Sequence, residues 1–213
     1  MSFIIGICGG SGSGKTSFIR DIRKNFPTSE VCIISQDDYY KPREEQKVDE
    51  NGVKNFDLPE SINMVEFASD LTKLSKGETI QRVEYTFNNE KSDPALLTIT
   101  PAPVIIVEGL FVFQESNLWN KMDLKIYIEA EESSQLIRRI KRDQLERNYP
   151  LDDVLYRYQH HVKPALQLYI APFKPKVDLV INNNISYNIG LELLTSFIRS
   201  KINKETHTDP NFL

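Results

Sequence analysis

Apolar residues along this chain fall into short, nearly continuous runs, separated by longer stretches in which they recur every three or four positions. FIIGI (3–7), VCIIS (31–35), VIIVE (104–108), LKIYI (124–128) and DLVIN (178–182) are rich in β-branched residues, as strands buried on both faces are. Between them the spacing is helical over about 16–25, 61–75, 132–146, 152–170 and 187–202. Strand and helix in alternation predict an α/β fold, a parallel five-stranded sheet with helices on both faces. One segment breaks the alternation: ETIQRVEYTF and ALLTITP, separated by NNEKSDP, read as a β-hairpin inserted at about 78–100. The stretch 41–55, KPREEQKVDENGVKN, is charged and aperiodic and reads as a mobile loop. The polar tail 203–213 reads as frayed, which leaves one domain over 1–202.

Composition narrows the class without naming a function. The chain has 213 residues, 40% hydrophobic and 26% charged, with a formal net charge of −4. That balance argues against nucleic acid or an anionic membrane as a partner held by bulk electrostatics. No apolar run approaches the ~18 residues of a membrane span, and MSFIIGICGG is too short and uncharged for a signal peptide. Cys8 and Cys32 each sit inside a strand-like run and read as buried thiols of a reducing, cytoplasmic compartment.

The chemistry begins at GICGGSGSGKTSFI (6–19). Gly9, four residues, Gly14, Lys15 and Thr16 match the phosphate-binding loop pattern between a strand and a helix. Its glycines, Gly9, Gly10, Gly12 and Gly14, with Ser11 and Ser13, let backbone N–H groups turn onto phosphate oxygens of a nucleoside triphosphate. Lys15 would reach the β- and γ-phosphates and the Thr16 hydroxyl would ligate Mg²⁺. Two strings imitate a GTPase, DENG (49–52) and NKMD (120–123), but both are misplaced. Asp49 follows no apolar run, and Asn120–Asp123 precedes a strand where a nucleotide reader would end one.

The second strand runs into SQDDYYKP, at the same sheet edge as the glycine loop. Asp37 there is placed to accept a proton from an attacking hydroxyl and to help hold Mg²⁺, and Asp38 reads as a helix cap or solvated neighbour. Glu108 closes the third strand as the second anchor for the metal, with Gly109 after it leaving room for a ligand. LIRRIKRDQLERN (136–148) crowds Arg138, Arg139, Lys141, Arg142 and Arg147 onto one helical stretch. Such a run is ordinarily a solvated face, yet beside a phosphate loop it reads as a basic lid over 138–150.

SQDDYY, NFDLPES, VEYTF, VIIVEG, RRIKRDQLER and HHVKPALQLYIAPFKPKVDLVI follow the order and spacing of the uridine–cytidine kinases, in the phosphoribulokinase/uridine kinase group of P-loop kinases. The chain resembles that family from Ile4 to about Ile198. SQDDYYKP and the residues up to NFDLPESINM also look like nicotinamide riboside kinases. The resemblance implies Mg²⁺-dependent transfer of the ATP γ-phosphate to the 5′-hydroxyl of a small-molecule nucleoside, most simply uridine or cytidine, in salvage, by a homotetramer or dimer. It makes Asp37 the catalytic base and Asp57 the holder of the ribose hydroxyls. Tyr40, Phe56, Tyr85 and Phe87 become the aromatic walls, and Arg139 a ribose-site arginine. Arg142, counted with Asp37 and Lys15 as catalytic, and Arg147 become lid arginines at the ATP phosphates. A kinase for another small alcohol would share the loop, Asp37 and Glu108, and a non-catalytic ATP sensor would not need Lys15, Thr16, Asp37 and Glu108 all intact.

Three positions depart from the family pattern. Glu90 stands where a histidine meets the pyrimidine, Tyr149 where an arginine follows the lid, and Arg157 where a glutamine completes the base pocket. A carboxylate facing the base would favour a donor-rich or cationic ring such as that of nicotinamide riboside, unless Glu90 and Arg157 pair with each other. If Glu90 reads the base, Glu90→Gln is expected to change nucleoside preference far more than ATP affinity, measured as steady-state constants across a nucleoside panel.

Overall fold

The apolar runs are strands, and the sheet sorts their residues onto two faces. In the computed structural model, which describes residues 2–86 and 93–206, the strands are β1 (Phe3–Cys8), β2 (Val31–Ser35), β3 (Ile80–Val83), β4 (Leu96–Ile99), β5 (Val104–Glu108), β6 (Leu124–Glu129) and β7 (Leu179–Asn182). Five of them form a parallel sheet in the order β2-β5-β1-β6-β7, and β3 pairs antiparallel with β4 as the inserted hairpin. Phe87 and Glu90 lie outside the described residues.

Helices α1 (Lys15–Asn25), α2 (Met64–Ser75), the single turn α3 (Ser116–Trp119), α4 (Glu132–Leu145), α5 (Leu151–Arg157), the short α6 (Lys163–Ala165) and α7 (Asn188–Thr206) cover the sheet. Ile5, Ile7, Val104 and Ile106 pack against Phe18 and Ile22 of α1 and Leu194 and Ile198 of α7. Ile4, Cys8, Ile105 and Val107 face the opposite layer with Phe67, Leu71 and Leu74 of α2. Each such side chain contributes about 1.5–3 kcal/mol on burial, so the two apolar layers fix which strand ends share an edge. No helix among the described residues is long and apolar enough to cross a membrane.

The helical reading of 152–170 holds with an altered pitch. From α5 the chain continues as a π-helix over Tyr158–Val162, α6, and a second π-helix over Leu166–Ile170. Pro164 has no N–H to donate and crowds the preceding turn, and the wider turns on both sides accommodate it. α7 runs to Thr206, past the start of the tail expected at 203. The NKMD string lies at the edge away from the glycine loop, where Asp123 accepts the Ile4 N–H at 2.8 Å.

The stretch 41–55 differs from the mobile loop expected of it. Asp49 Oδ1 accepts the N–H groups of Asn51 and Val53 at 2.9 and 2.8 Å. Its Oδ2 accepts from Tyr156 Oη at 2.8 Å and His161 Nε2 at 2.7 Å. The carboxylate only accepts, so Nε2 carries the proton. A charged run therefore hides one residue with four hydrogen-bond donors around it, which ties the loop to the 151–162 helix. Burial raises the Asp49 carboxyl, but the bonds from Val53, His161, Tyr156 and Asn51 outweigh it and hold it well below the usual carboxylate range. A lowered native pKa gives stability that is fully present above the ordinary value of about 3.9 and is lost as pH falls below it. Asp49→Asn is expected to lower the thermal midpoint at pH 7, and the gap between variant and wild-type melts should begin to close only as pH falls below about 4 and keep narrowing at more acid pH.

Candidate active site

The parallel sheet brings the ends of β1, β2 and β5 to one edge, and the loop between β1 and α1 lies there. Gly12 and Gly14 adopt φ of +79° and +102°, a region that L side chains avoid. A Cβ on Gly12 would lie 2.3 Å from the Gln135 carbonyl oxygen, and one on Gly14 2.2 Å from Asn183 Nδ2. The glycines thus let α4 and the end of β7 close against the loop. Asn183 Nδ2 donates to the Ser13 carbonyl at 2.7 Å, and Arg138 Nη1 lies 3.4 Å from the carbonyls of Gly12 and Ser13. With these carbonyls engaged from outside, the unpaired N–H groups of the first turn of α1 are oriented for an anion. Lys15 Nζ arches over the loop, donating to Gly9 O at 2.8 Å and Gly10 O at 3.4 Å. Gly10, Ser11, Gly12, Gly14, Lys15 and Thr16 line a cleft of about 450 Å³. Gly9 and Ser13 lie beneath it: Gly9 backs onto the Ile128 carbonyl, and Ser13 is fully buried, its hydroxyl without a hydrogen-bond partner among the described residues.

Two acids face the loop. The register that sets Ser35 opposite Glu108 lets Ser35 Oγ donate to Glu108 Oε1 at 2.5 Å while it accepts the Asp37 N–H at 3.2 Å. Burial, reinforced by the Asp37 carboxylate, pushes the Glu108 carboxyl up to about 7, against the pull of Lys15 and Ser35. Asp37, Glu108 and Thr16 all line the cleft. Among the described residues no group of three or more His, Cys, Asp or Glu gathers as a metal cage. Two carboxylates and a hydroxyl could instead hold an ion that shares substrate phosphates. Two expectations are corrected here. The space beside Gly109 is filled by the Gln36 side chain, whose Oε1 accepts the Phe111 N–H. Asp38 caps no helix, since Ser35 caps this turn, and its Oδ1 instead accepts the Tyr85 N–H at 3.3 Å.

Opposite the loop stands an aromatic wall. Tyr40 packs on Tyr85 with ring centroids 5.2 Å apart and on Phe56 at 6.3 Å. Burial, then Asp37 and Asp57, raises the Tyr40 phenol well above its ordinary pKa, so it stays protonated. Asp57 is buried, 3.8 Å from Arg139 Nη1, which also donates to Ser11 Oγ at 2.9 Å. Arg142 Nε, Arg147 Nη1 and Arg139 Nε converge on Asp143 at 2.9, 3.3 and 3.2 Å. Tyr149 and Arg157 line the same cleft. The Arg157 guanidinium sits 5.5 Å from the Tyr149 ring centroid and donates to the Lys54 carbonyl at 2.8 Å.

Residues 4–189 match the model of the Phosphoribulokinase / Uridine kinase family. The chain is 36% identical over 199 residues to a uridine kinase of Macrococcus caseolyticus, covering 93% of this chain and 97% of that one. It is 33% identical over 201 residues to a uridine kinase of Streptococcus agalactiae, covering 94% and 96%. Among solved structures, phosphoribulokinase from Rhodobacter spheroides aligns with a TM-score of 0.59 at 17% identity, over 85% of this chain and 70% of that one, a likeness of fold.

Asp143 and Ser35 were not singled out in the sequence, because an acid within a basic run and a serine ending a strand carry no pattern. Asp143 is enclosed by three guanidinium groups, so Asp143→Ala is expected to destabilise the fold by about 3 kcal/mol, the lower end for breaking a buried ion pair. Urea unfolding measures it.

Proposed function

Because the chain belongs to the phosphoribulokinase/uridine kinase family and is a phosphotransferase, we propose that it transfers the γ-phosphoryl group of ATP to the 5′-hydroxyl of a ribonucleoside, uridine or cytidine foremost, in nucleoside salvage. The observation that carries this reading is Arg139, which touches Ser11 of the glycine loop and Asp57 beside the aromatic wall. A donor held by the loop and an acceptor held by Asp57 would be neighbours in one cleft. Direct transfer then needs no covalent enzyme intermediate.

Asp57 and Arg139 hold the ribose hydroxyls, and Tyr40, Phe56 and Tyr85 enclose sugar and base. Asp37 accepts the proton of the acceptor hydroxyl as its oxygen bonds to the γ-phosphorus and the bond to the β-phosphate oxygen breaks. Lys15, Arg142 and Arg147 bind the phosphate oxygens, where charge accumulates. Thr16, Asp37 and Glu108 fit Mg²⁺, which when bound would neutralise the β- and γ-phosphates. Arg157 offers only donors, which suits a ring bearing carbonyl oxygens and disfavours a cationic one, so this wall supports a pyrimidine over nicotinamide riboside.

The test is ADP release, with and without Mg²⁺, on uridine, cytidine, adenosine, guanosine, nicotinamide riboside, pantothenate and ribose 5-phosphate. Turnover of uridine or cytidine is expected. Silence on both with turnover of another acceptor would overturn the pyrimidine assignment, and silence on all would leave an ATP sensor. Asp37→Asn is expected to lower kcat by about 10²–10⁴, the range for losing a general base, on whichever acceptor the panel selects.

A further inference from the structure

Among the described residues β3 and β4 pair only with each other, so the hairpin does not share the hydrogen bonds of the main sheet. Ile80 and Ile99 pack into the apolar layer shared with α2, and polar and aromatic contacts fasten the hairpin to the turn at Gln36–Tyr39 and to Tyr40. The Arg82 guanidinium, from β3, lies 3.9 Å from the centroid of the fully buried Tyr39 ring. Its Nη2 donates to the Asp38 carbonyl at 3.2 Å, and its Nη1 pairs with Glu66 in the first turn of α2. Tyr39 is itself anchored, its hydroxyl donating to Asp70 at 3.0 Å. Three residues on, the Tyr85 N–H donates to Asp38 Oδ1 and its ring packs on Tyr40. Residues 38, 39 and 40 thus each grip the hairpin, and residue 37 faces the cleft.

We propose that Arg82 and Asp38 are positioning residues that register the hairpin against Asp37, so that an acceptor held by Tyr85 presents its hydroxyl to Asp37 in one geometry. This rests on the nucleoside kinase reading above. Neither residue lines the cleft. Both act through others: Asp38 through the Tyr85 main chain, and Arg82 through the face of Tyr39 and the Asp38 carbonyl. A cation stacked on a ring and forked between a carbonyl and a carboxylate resists both tilt and slide, which a single hydrogen bond would not. The hairpin and the turn then move together, and a displacement of either one changes the distance between acceptor and base.

The full chain is tested as Arg82→Ala, Asp38→Ala and Asp38→Asn, with amide hydrogen exchange and steady-state kinetics on the acceptor that the panel selects. Asp38→Ala is expected to speed exchange at the Tyr85 amide, and Asp38→Asn, which keeps an acceptor oxygen, to restore its protection. Arg82→Ala and Asp38→Ala are expected to lower kcat by about ten- to a hundredfold, the scale of a 1 Å misplacement. They should also raise KM for the nucleoside and leave KM for ATP unchanged, with Asp38→Asn near wild type. Unaltered exchange at Tyr85 in Asp38→Ala overturns the clamp, as do equal changes in both KM values or an unmoved kcat. If wild type turns over no nucleoside, the kinase reading falls by itself, and exchange at Tyr85 decides the clamp.

Discussion

Glu108 is enclosed at the end of a central strand with the Asp37 carboxylate near it, and the carboxyl edge of the sheet is organised around that unfavourable pairing. Burial and the neighbouring carboxylate make it harder to ionise there than in water. Its counterweights come from two separate elements. Ser35, placed abreast by the β2–β5 register, donates a hydrogen bond, and Lys15 from α1 supplies opposite charge. The parallel arrangement is what brings these groups together, because every strand ends at the same side. Two acids set beside an anion-binding loop leave a place where a cation would be favoured, as a metal ion shared with substrate phosphates would be.

The opposing wall follows a different rule. There, positive charge is concentrated, and a single acid orders it: Asp143 collects Arg139, Arg142 and Arg147. An exposed arginine cluster would splay apart by repulsion. Bound to a common carboxylate, these side chains line the cleft in a held arrangement, which lowers the entropy that binding an anion there would cost.

The fold was largely legible in the sequence, because five continuous apolar runs and the helical spacing between them leave few alternatives to a parallel sheet. The loop glycines, Lys15, Thr16, Asp37 and Glu108 were legible for a related reason: their spacing is set by strand ends, and strand ends can be read. The contacts that cross between distant segments were not. Asp49 looked like part of a solvated charge run, yet it organises a loop through partners more than a hundred residues away. Asp38 looked like a cap and instead reaches the hairpin, 47 positions on. Gly109 suggested open space that Gln36 fills. In each case the residue type and its neighbours in sequence were correctly read as polar or small. Its partner was supplied by topology, which periodicity does not encode.

The side of the cleft that carries Arg157 is cross-braced. Arg157 holds the Lys54 carbonyl, and Tyr156 and His161 hold Asp49, so the 151–162 helix and the 47–55 loop are laced together along the length of the wall. Substitutions across this wall are therefore epistatic. Exchanging residue 157 cuts a brace of the loop that leads into Phe56 and Asp57, so the new side chain sits in a cleft whose far rim has shifted. A lineage that changes its substrate along this wall has to change helix and loop in concert, and the two segments are expected to covary as one unit of inheritance.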